Sequence, residues 1–326
     1  MAYKLSKSDI EAARKRIMGQ AVVTPLLRFP VLDEATGGTI LVKPECLQRT
    51  GSFKFRGAFN RLMMIPAEER ASGVVACSSG NHAQGVAESA RILGVSATIV
   101  MPSDAPKIKL QRTRDLGAEV ITYDRFGEDR VAIAMEICDR TGATFVHPFD
   151  DAGVIAGQGT IGLEIAEQAR ALGFDSLDAA IVCTGGGGIS SGIALGLLDE
   201  ISGCQFHTVE PADFNDYARS LAAGERLANE QAKPSIMDAI LTESPGEISF
   251  SILKDRASEG LVVSDEEALR AVAFAFRELK LVVEPGGAAA LAAVLAGKIK
   301  LKGRVVAIVL TGGNIDFEIL QRALEQ

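Results

Sequence analysis

The chain has 326 residues, enough for two modest lobes over a shared deep core. Its formal charge of -8, without a basic block of about five or six residues, excludes a nucleic-acid backbone as partner and points to a small ligand. A composition that is 47% hydrophobic, with 33 glycines and no tryptophan, suits Val/Ile/Ala strands and glycine-rich turns and rules out a disordered or fibrous chain.

Residues 1–19 carry Lys4, Lys7, Arg14, Lys15 and Arg16 among acids and hold no continuous apolar stretch of the signal type, so a cytoplasmic protein is expected. Ser8-Asp9-Ile10-Glu11 has the form of a capping box, and Ile10, Ala13 and Ile17 repeat at helical spacing, which predicts a first helix. A strand is predicted over 39–42, and Gln48-Arg49-Thr50-Gly51-Ser52 reads as a polar loop opening a helix at Phe53. Between Gly73 and His147, strand-like runs at 74–77, 97–101, 119–123 and 144–146 alternate with helical patterns at 83–93, 107–116 and 128–141. That series predicts a parallel-sheet lobe. The theme returns with a strand at 179–183, a glycine run, a helix at 190–199 and a strand at 205–210. Residues 211–247 are polar and are expected to loop over the surface, before a helix at 265–279 and a strand at 305–310. The most apolar segment, 288–296, is far shorter than the roughly 20 residues of a membrane helix, so no membrane partner is expected. The five cysteines form no C-x-x-C pair and indicate neither a zinc site nor a disulfide framework.

Gly185, Gly186, Gly187 and Gly188 fall between a strand-like run and a helix, where successive backbone N–H groups and the positive helix end can hold a phosphate. Alone, this says only that the ligand is anionic. A dinucleotide site competes, since Gly186-x-Gly188-x-x-Ser191 approaches G-x-G-x-x-G/A and Glu210 ends the next strand where a ribose-binding acid would sit. Serine in the third position weakens that alternative without removing it.

Ser52-Phe53-Lys54-Phe55-Arg56-Gly57-Ala58 resembles the Schiff-base lysine motif of the fold type II pyridoxal-phosphate enzymes, the group that includes threonine dehydratase and serine racemase. Ser78-Ser79-Gly80-Asn81-His82 resembles their loop for the substrate carboxylate and cofactor ring, the glycine run their phosphate loop, and Thr311-Gly312-Gly313-Asn314 the loop that meets the pyridine nitrogen. All four occur in the family's order, and the resemblance spans about residues 9 to 316. It implies a two-lobed α/β fold, each lobe an open, mostly parallel twisted sheet with flanking helices. Residues 1–65 and 148–326 would form a large cofactor-binding domain and 66–147 a small mobile one.

In that family Lys54 would form the imine with pyridoxal 5'-phosphate and then act as base beside the substrate Cα, with Ser79 facing it across the cofactor plane. Phe53, Asn81, the four glycines and Thr311 would complete the cofactor contacts. Asn81 would meet the phenolic oxygen, and Thr311, where serine or cysteine is usual, the ring nitrogen. A neutral hydroxyl there makes a weaker electron sink, suited to elimination. Ser78, Ser79, Gly80, Asn81, His82 and Arg130 would bind the substrate, although His82, like His147, reads as a packed or backbone-bonded imidazole with no acid/base role. Plainer alternatives are a solvated basic patch of Arg49, Lys54 and Arg56, a helix cap at Ser79, a turn at Asn81, and a surface pairing of Arg130 with Glu128 or Asp129. Glu210, Asp216 and the backbone carbonyl of Phe214 resemble the divalent-cation site of serine racemase, whose oxygen ligands suit Mg²⁺ or Ca²⁺; a solvated loop is the alternative.

The resemblance therefore implies a homodimeric dehydratase that converts L-threonine, L-serine or both to a 2-oxo acid and ammonia. Serine racemase and 3-hydroxyaspartate dehydratase share the reacting atoms, but the segments Glu284-Pro285-Gly286-Gly287-Ala288 and His147-Pro148-Phe149-Asp150-Asp151 look more like threonine dehydratase. A catalytically silent pyridoxal-phosphate-binding protein would need the imine but not Ser79. The chain ends soon after Asn314, so the regulatory domain of biosynthetic threonine dehydratases, and feedback by an amino acid, are expected to be absent.

Overall fold

The computed structural model describes residues 5–105, 107–125, 127–229, 233 and 235–326; Lys4 and part of the expected surface stretch 211–247 lie outside the described residues. Among the described residues ten strands form two sheets: β1 Leu27–Arg28, β2 Thr39–Pro44, β3 Val74–Cys77, β4 Ala97–Pro102, β5 Glu119–Tyr123, β6 Thr144–Phe145, β7 Ala179–Cys183, β8 Gln205–Pro211, β9 Glu259–Val263 and β10 Val305–Leu310. The larger sheet has the order β1-β2-β10-β7-β8-β9 and is parallel except for β1 against β2. The smaller sheet, β5-β4-β3-β6, is parallel throughout.

The central strands read as continuous apolar runs because helices cover both faces. Along β10, Val306, Ile308 and Leu310 join one core cluster while Ala307 and Val309 join the cluster on the opposite face. In β3 the same alternation sends Val74 and Ala76 to one side and Val75 and Cys77 to the other. Ala58 and Leu62, on the helix Lys54–Met64, pack with the β3 and β4 side chains, so this helix belongs to the core of the smaller sheet.

Several expectations need correction. The first helix is Lys7–Ile17, capped by Ser6 with Asp9 rather than by Ser8 with Glu11. Ser6 N and Oγ both donate to Asp9 Oδ2, at 2.9 and 2.7 Å. Either cap keeps Ile10, Ala13 and Ile17 on the buried face, so periodicity could not choose between them; the earlier start also brings Lys7 Nζ to Glu200 Oε1 at 2.5 Å. The stretch 211–247 is not all loop, since it contains the helix Asp216–Ala223 and a short turn of helix Asp238–Ile240. The segment 265–279 is α-helical to Phe274 and then widens into a π-turn, Ala275–Leu279. The helices Ala152–Ala171 and Pro285–Leu295 escaped prediction because they are buried nearly all round and show no polar face to set a period. Helix Gly188–Leu198 begins inside the glycine run and packs on Ala152–Ala171 so closely that a Cβ at Gly192 would stand 2.5 Å from the Ile155 carbonyl. No helix among the described residues is long and apolar enough to cross a membrane.

Candidate active site

A cleft opens between the carboxyl ends of the two sheets, where α/β folds commonly place ligands. It is lined by Phe53, Lys54, Ser78, Ser79, Gly80, Asn81, His82, Arg130, Gly185, Gly186, Gly187, Gly188 and Thr311, so the structure brings these sequence-selected residues together. Four chain segments are hydrogen-bonded into one frame. Phe53 N donates to Thr311 O at 3.1 Å, Gly313 N to Gly51 O at 2.9 Å and Glu284 N to Gly312 O at 3.0 Å. Asn314 Nδ2 donates to Thr50 O at 2.8 Å and to Asn81 Oδ1 at 2.7 Å. Thr50 is held at φ 63°, a left-handed conformation that a β-branched residue rarely takes, which sharpens the turn before Lys54.

Lys54 begins its helix, and its Nζ donates to Pro148 O at 2.7 Å with the Phe53 ring centroid 5.2 Å away. Removal from water pushes this amine down to about 8, against the raising effect of Glu284. An amine of that kind is partly unprotonated near neutrality and can attack a carbonyl. The solvated basic patch is not what forms. Arg56 is fully buried and donates to Glu45 at 2.8 and 2.9 Å and to Glu164 at 2.6 and 2.9 Å, while Arg49 pairs with Glu88 at 3.0 Å. Lys43 Nζ also reaches Glu164, at 2.6 Å, so two cations and two carboxylates balance one another under the lysine helix. Removing one partner of such a buried set costs about 3–5 kcal/mol, because it strands a charge.

Ser79 precedes Gly80, the N-cap of helix Asn81–Leu93, and does not cap it. Asn81 is not a turn residue: its Nδ2 donates to Glu284 Oε1 at 2.5 Å, which with Asn314 on Oδ1 fixes the orientation of its amide. His82 Nε2 meets Val146 O at 3.0 Å, and burial pushes the imidazole down to about 3, so it stays neutral. His147 Nδ1 accepts from Asp150 N at 2.8 Å and from Phe149 N at 3.3 Å. Arg130 starts the helix Arg130–Thr141, and neither expected surface partner pairs with it among the described residues. Asp129 caps that helix through Val131 N and Ala132 N, and Glu128 accepts from Asp124 N at 2.6 Å.

Sequence reasoning reaches Glu284 only as part of a segment. It is buried in the cleft wall, where loss of hydration pushes its carboxyl up to about 8. Lys109 and Asp238, an ion pair at 3.3 Å, line the cleft as well, and no local motif announces them.

The glycine run fits a phosphate because side chains do not. A Cβ at Gly186 would collide with the Phe149 ring, and one at Gly187, where φ is 88°, with Tyr217. Glu210 is turned away from this loop: Oε1 accepts from Tyr217 N at 2.9 Å and Oε2 from Ala218 N at 2.7 Å, at the start of helix Asp216–Ala223. Glu210 does not line the cleft that the glycine run borders, so the dinucleotide alternative loses its second element.

A family model described as pyridoxal-phosphate dependent enzyme matches residues 17–312. The chain belongs to that family. Among its relatives, an L-threo-3-hydroxyaspartate ammonia-lyase from Pseudomonas sp is 42% identical over 313 residues, covering 96% of each chain. A serine racemase from Schizosaccharomyces pombe is 40% identical over 318 residues, covering 98% of this chain and 97% of that one. A solved structure of threonine deaminase from T.th. superposes with a TM-score of 0.91 at 42% identity, covering 96% of this chain and 99% of the other. The sheets and flanking helices are those of fold type II pyridoxal-phosphate enzymes, and the chain is a carbon–nitrogen lyase of that family.

Proposed function

We propose that the chain dehydrates and deaminates L-threonine, L-serine or both, releasing a 2-oxo acid and ammonia. The observation that carries this reading is Lys54: a cleft lysine of lowered basicity beside a loop of Ser78, Ser79, Gly80 and Asn81, with a side-chain-free glycine loop in the same cleft. Pyridoxal phosphate, when bound, supplies an aldehyde for the substrate amine and a ring that draws electrons from its Cα. Lys54 would hold the group and then act as base for the Cα proton. The glycine loop and the start of helix Gly188–Leu198 would hold its phosphate, and Thr311 would offer a neutral hydroxyl to its ring. Backbone N–H groups at the start of helix Asn81–Leu93, with Ser79 and Arg130 in the same cleft, would bind the substrate carboxylate. Ammonia release from L- and D-threonine, serine and 3-hydroxyaspartate, run side by side, tests the assignment. Highest kcat/KM for L-threonine or L-serine supports it, and highest kcat/KM for 3-hydroxyaspartate would replace it.

A divalent ion at Glu210 and Asp216 belongs to the same reading. Both carboxylates are buried, and burial followed by their mutual repulsion holds Glu210 well above the usual carboxylate range; Asp216 is pushed up to about 6, chiefly by burial. Asp216 Oδ2 has no hydrogen-bond partner among the described residues, although Oδ1 accepts from Asn229 at 2.7 Å. Phe214, whose N donates to Pro211 O at 2.9 Å, lies in the turn joining the two acids. Hard oxygen donors of this kind suit Mg²⁺ or Ca²⁺. The effect would reach the glycine loop through Tyr217, whose Oη lies 2.6 Å from Ser249 Oγ, which donates to Gly186 O at 2.7 Å.

The sign follows from proton binding. Folded carboxyls with raised pKa hold protons that unfolded ones release, so the pair weakens the fold as pH rises from the ordinary 3.8 of an aspartate through about 6. An ion replaces those protons. Saturating Mg²⁺ or Ca²⁺ is expected to raise Tm by on the order of 5 °C at pH 8 and by little at pH 4, and chelation to reverse the gain. An equal Tm with ion and with chelator at pH 8 would sink the site.

A further inference from the structure

Gln158 lies on the helix Ala152–Ala171 with its side chain fully buried, yet neither Nε2 nor Oε1 has a hydrogen-bond partner among the described residues. An amide left dry at both ends is costly, because its donor and its acceptor have each given up water. The residue borders the cleft and is wedged between two of its elements. A Cβ at Gly57, one turn after Lys54, would stand 3.0 Å from Nε2, and a Cβ at Gly188 would stand 3.1 Å from Oε1. The amide thus fits between the lysine helix and the glycine loop because both positions are glycine.

To a doubly charged group the loop itself offers backbone N–H donors and no free side-chain donor. Residues 184–191, Thr-Gly-Gly-Gly-Gly-Ile-Ser-Ser, carry no charge. Their hydroxyls are engaged, Thr184 Oγ1 with Ser190 Oγ at 2.6 Å and Ser191 Oγ with Gly188 O at 3.3 Å. We infer that Gln158 is a further binding residue for the cofactor, its side-chain NH₂ donating to the phosphate ester held at the glycine loop. An anion beside Gly188 selects the amide orientation that turns NH₂ toward it, a half-turn of a planar group that fills the same space. The inference rests on the pyridoxal-phosphate site proposed above and adds a side chain to a phosphate subsite otherwise made of backbone.

The test is binding rather than turnover. The full chain, freed of cofactor, is titrated with pyridoxal phosphate and with pyridoxal, which lacks the phosphate, following visible absorbance. Gln158→Met keeps the volume and removes the donor; Gln158→Glu keeps the shape and places a negative charge there. Pyridoxal phosphate affinity is expected to fall about tenfold or more in Gln158→Met and about 100-fold in Gln158→Glu, with pyridoxal changed by less than about threefold. Thermal unfolding of the cofactor-free variants reports their folding, and Gln158→Glu decides alone should Gln158→Met not fold. Equal weakening of both ligands, or none, makes Gln158 a packing residue and overturns the inference. Wild-type protein that binds neither ligand is a different result, which removes the pyridoxal-phosphate site and this inference with it.

Discussion

Lys54→Ala is expected to remove the visible absorbance of the purified protein and to lower turnover by at least about 10⁴-fold, since one substitution takes away both the anchoring amine and the base. The fold should survive, because among the described residues Lys54 gives one hydrogen bond, to Pro148 O, and removing a cation from a poorly hydrated place relieves an electrostatic cost. Far-ultraviolet circular dichroism should therefore match wild type while absorbance and activity vanish. The amine's lowered pKa gives a second measurement. Only the unprotonated amine attacks an aldehyde, so the rate at which cofactor-free wild type recaptures pyridoxal phosphate should rise about tenfold per pH unit below about 8 and level off above it. Borohydride reduction of the loaded protein should mark a lysine in the segment 52–58. Unchanged absorbance in Lys54→Ala, or a mark elsewhere, would remove Lys54 from its role.

Lys54, the glycine run and Ser79 were legible because each sits in a contiguous motif whose local chemistry is distinctive. The strands were legible for another reason: helices bury both faces of β7 and β10, so the sequence shows unbroken apolar runs at 179–183 and 305–310, the bounds observed. Glu284 and Gln158 were not legible. Each is one polar residue in an otherwise small or apolar helical segment, and what distinguishes it is convergence in space with residues far along the chain. Glu284 meets Asn81 across 203 positions, and Gln158 faces Gly57 from a helix that begins nearly a hundred residues later. The metal reading stands between these cases. Two acids six apart are common, and only burial of both carboxylates, with Asp216 Oδ2 unpartnered among the described residues, separates them from a solvated loop.

Ser79→Ala is expected to divide the reactions that the relatives' names leave joined. In the proposed reaction of an L-substrate, Lys54 would remove the Cα proton and the β-hydroxyl would leave without any group acting on the opposite face. Dehydration of L-threonine or L-serine should persist at about a tenth of wild type, the loss coming from the hydroxyl's hydrogen bond to the substrate carboxylate. Racemisation needs a proton delivered to the far face, and a D-substrate needs its proton taken there, so both should fall by about 10²–10⁴-fold. Ser79 is not taken up by capping, since Gly80 is the N-cap of the following helix. Its neighbours on the loop do not stand in, for His82 is held neutral by burial and donates to Val146 O, and Asn81 is tied to Glu284 and Asn314. Ammonia release from each enantiomer and L-to-D conversion, assayed together on the one variant, read the outcome. Equal loss of all three would make Ser79 a positioning residue for substrate or cofactor, and the assignment of the two faces to Lys54 and Ser79 would fall.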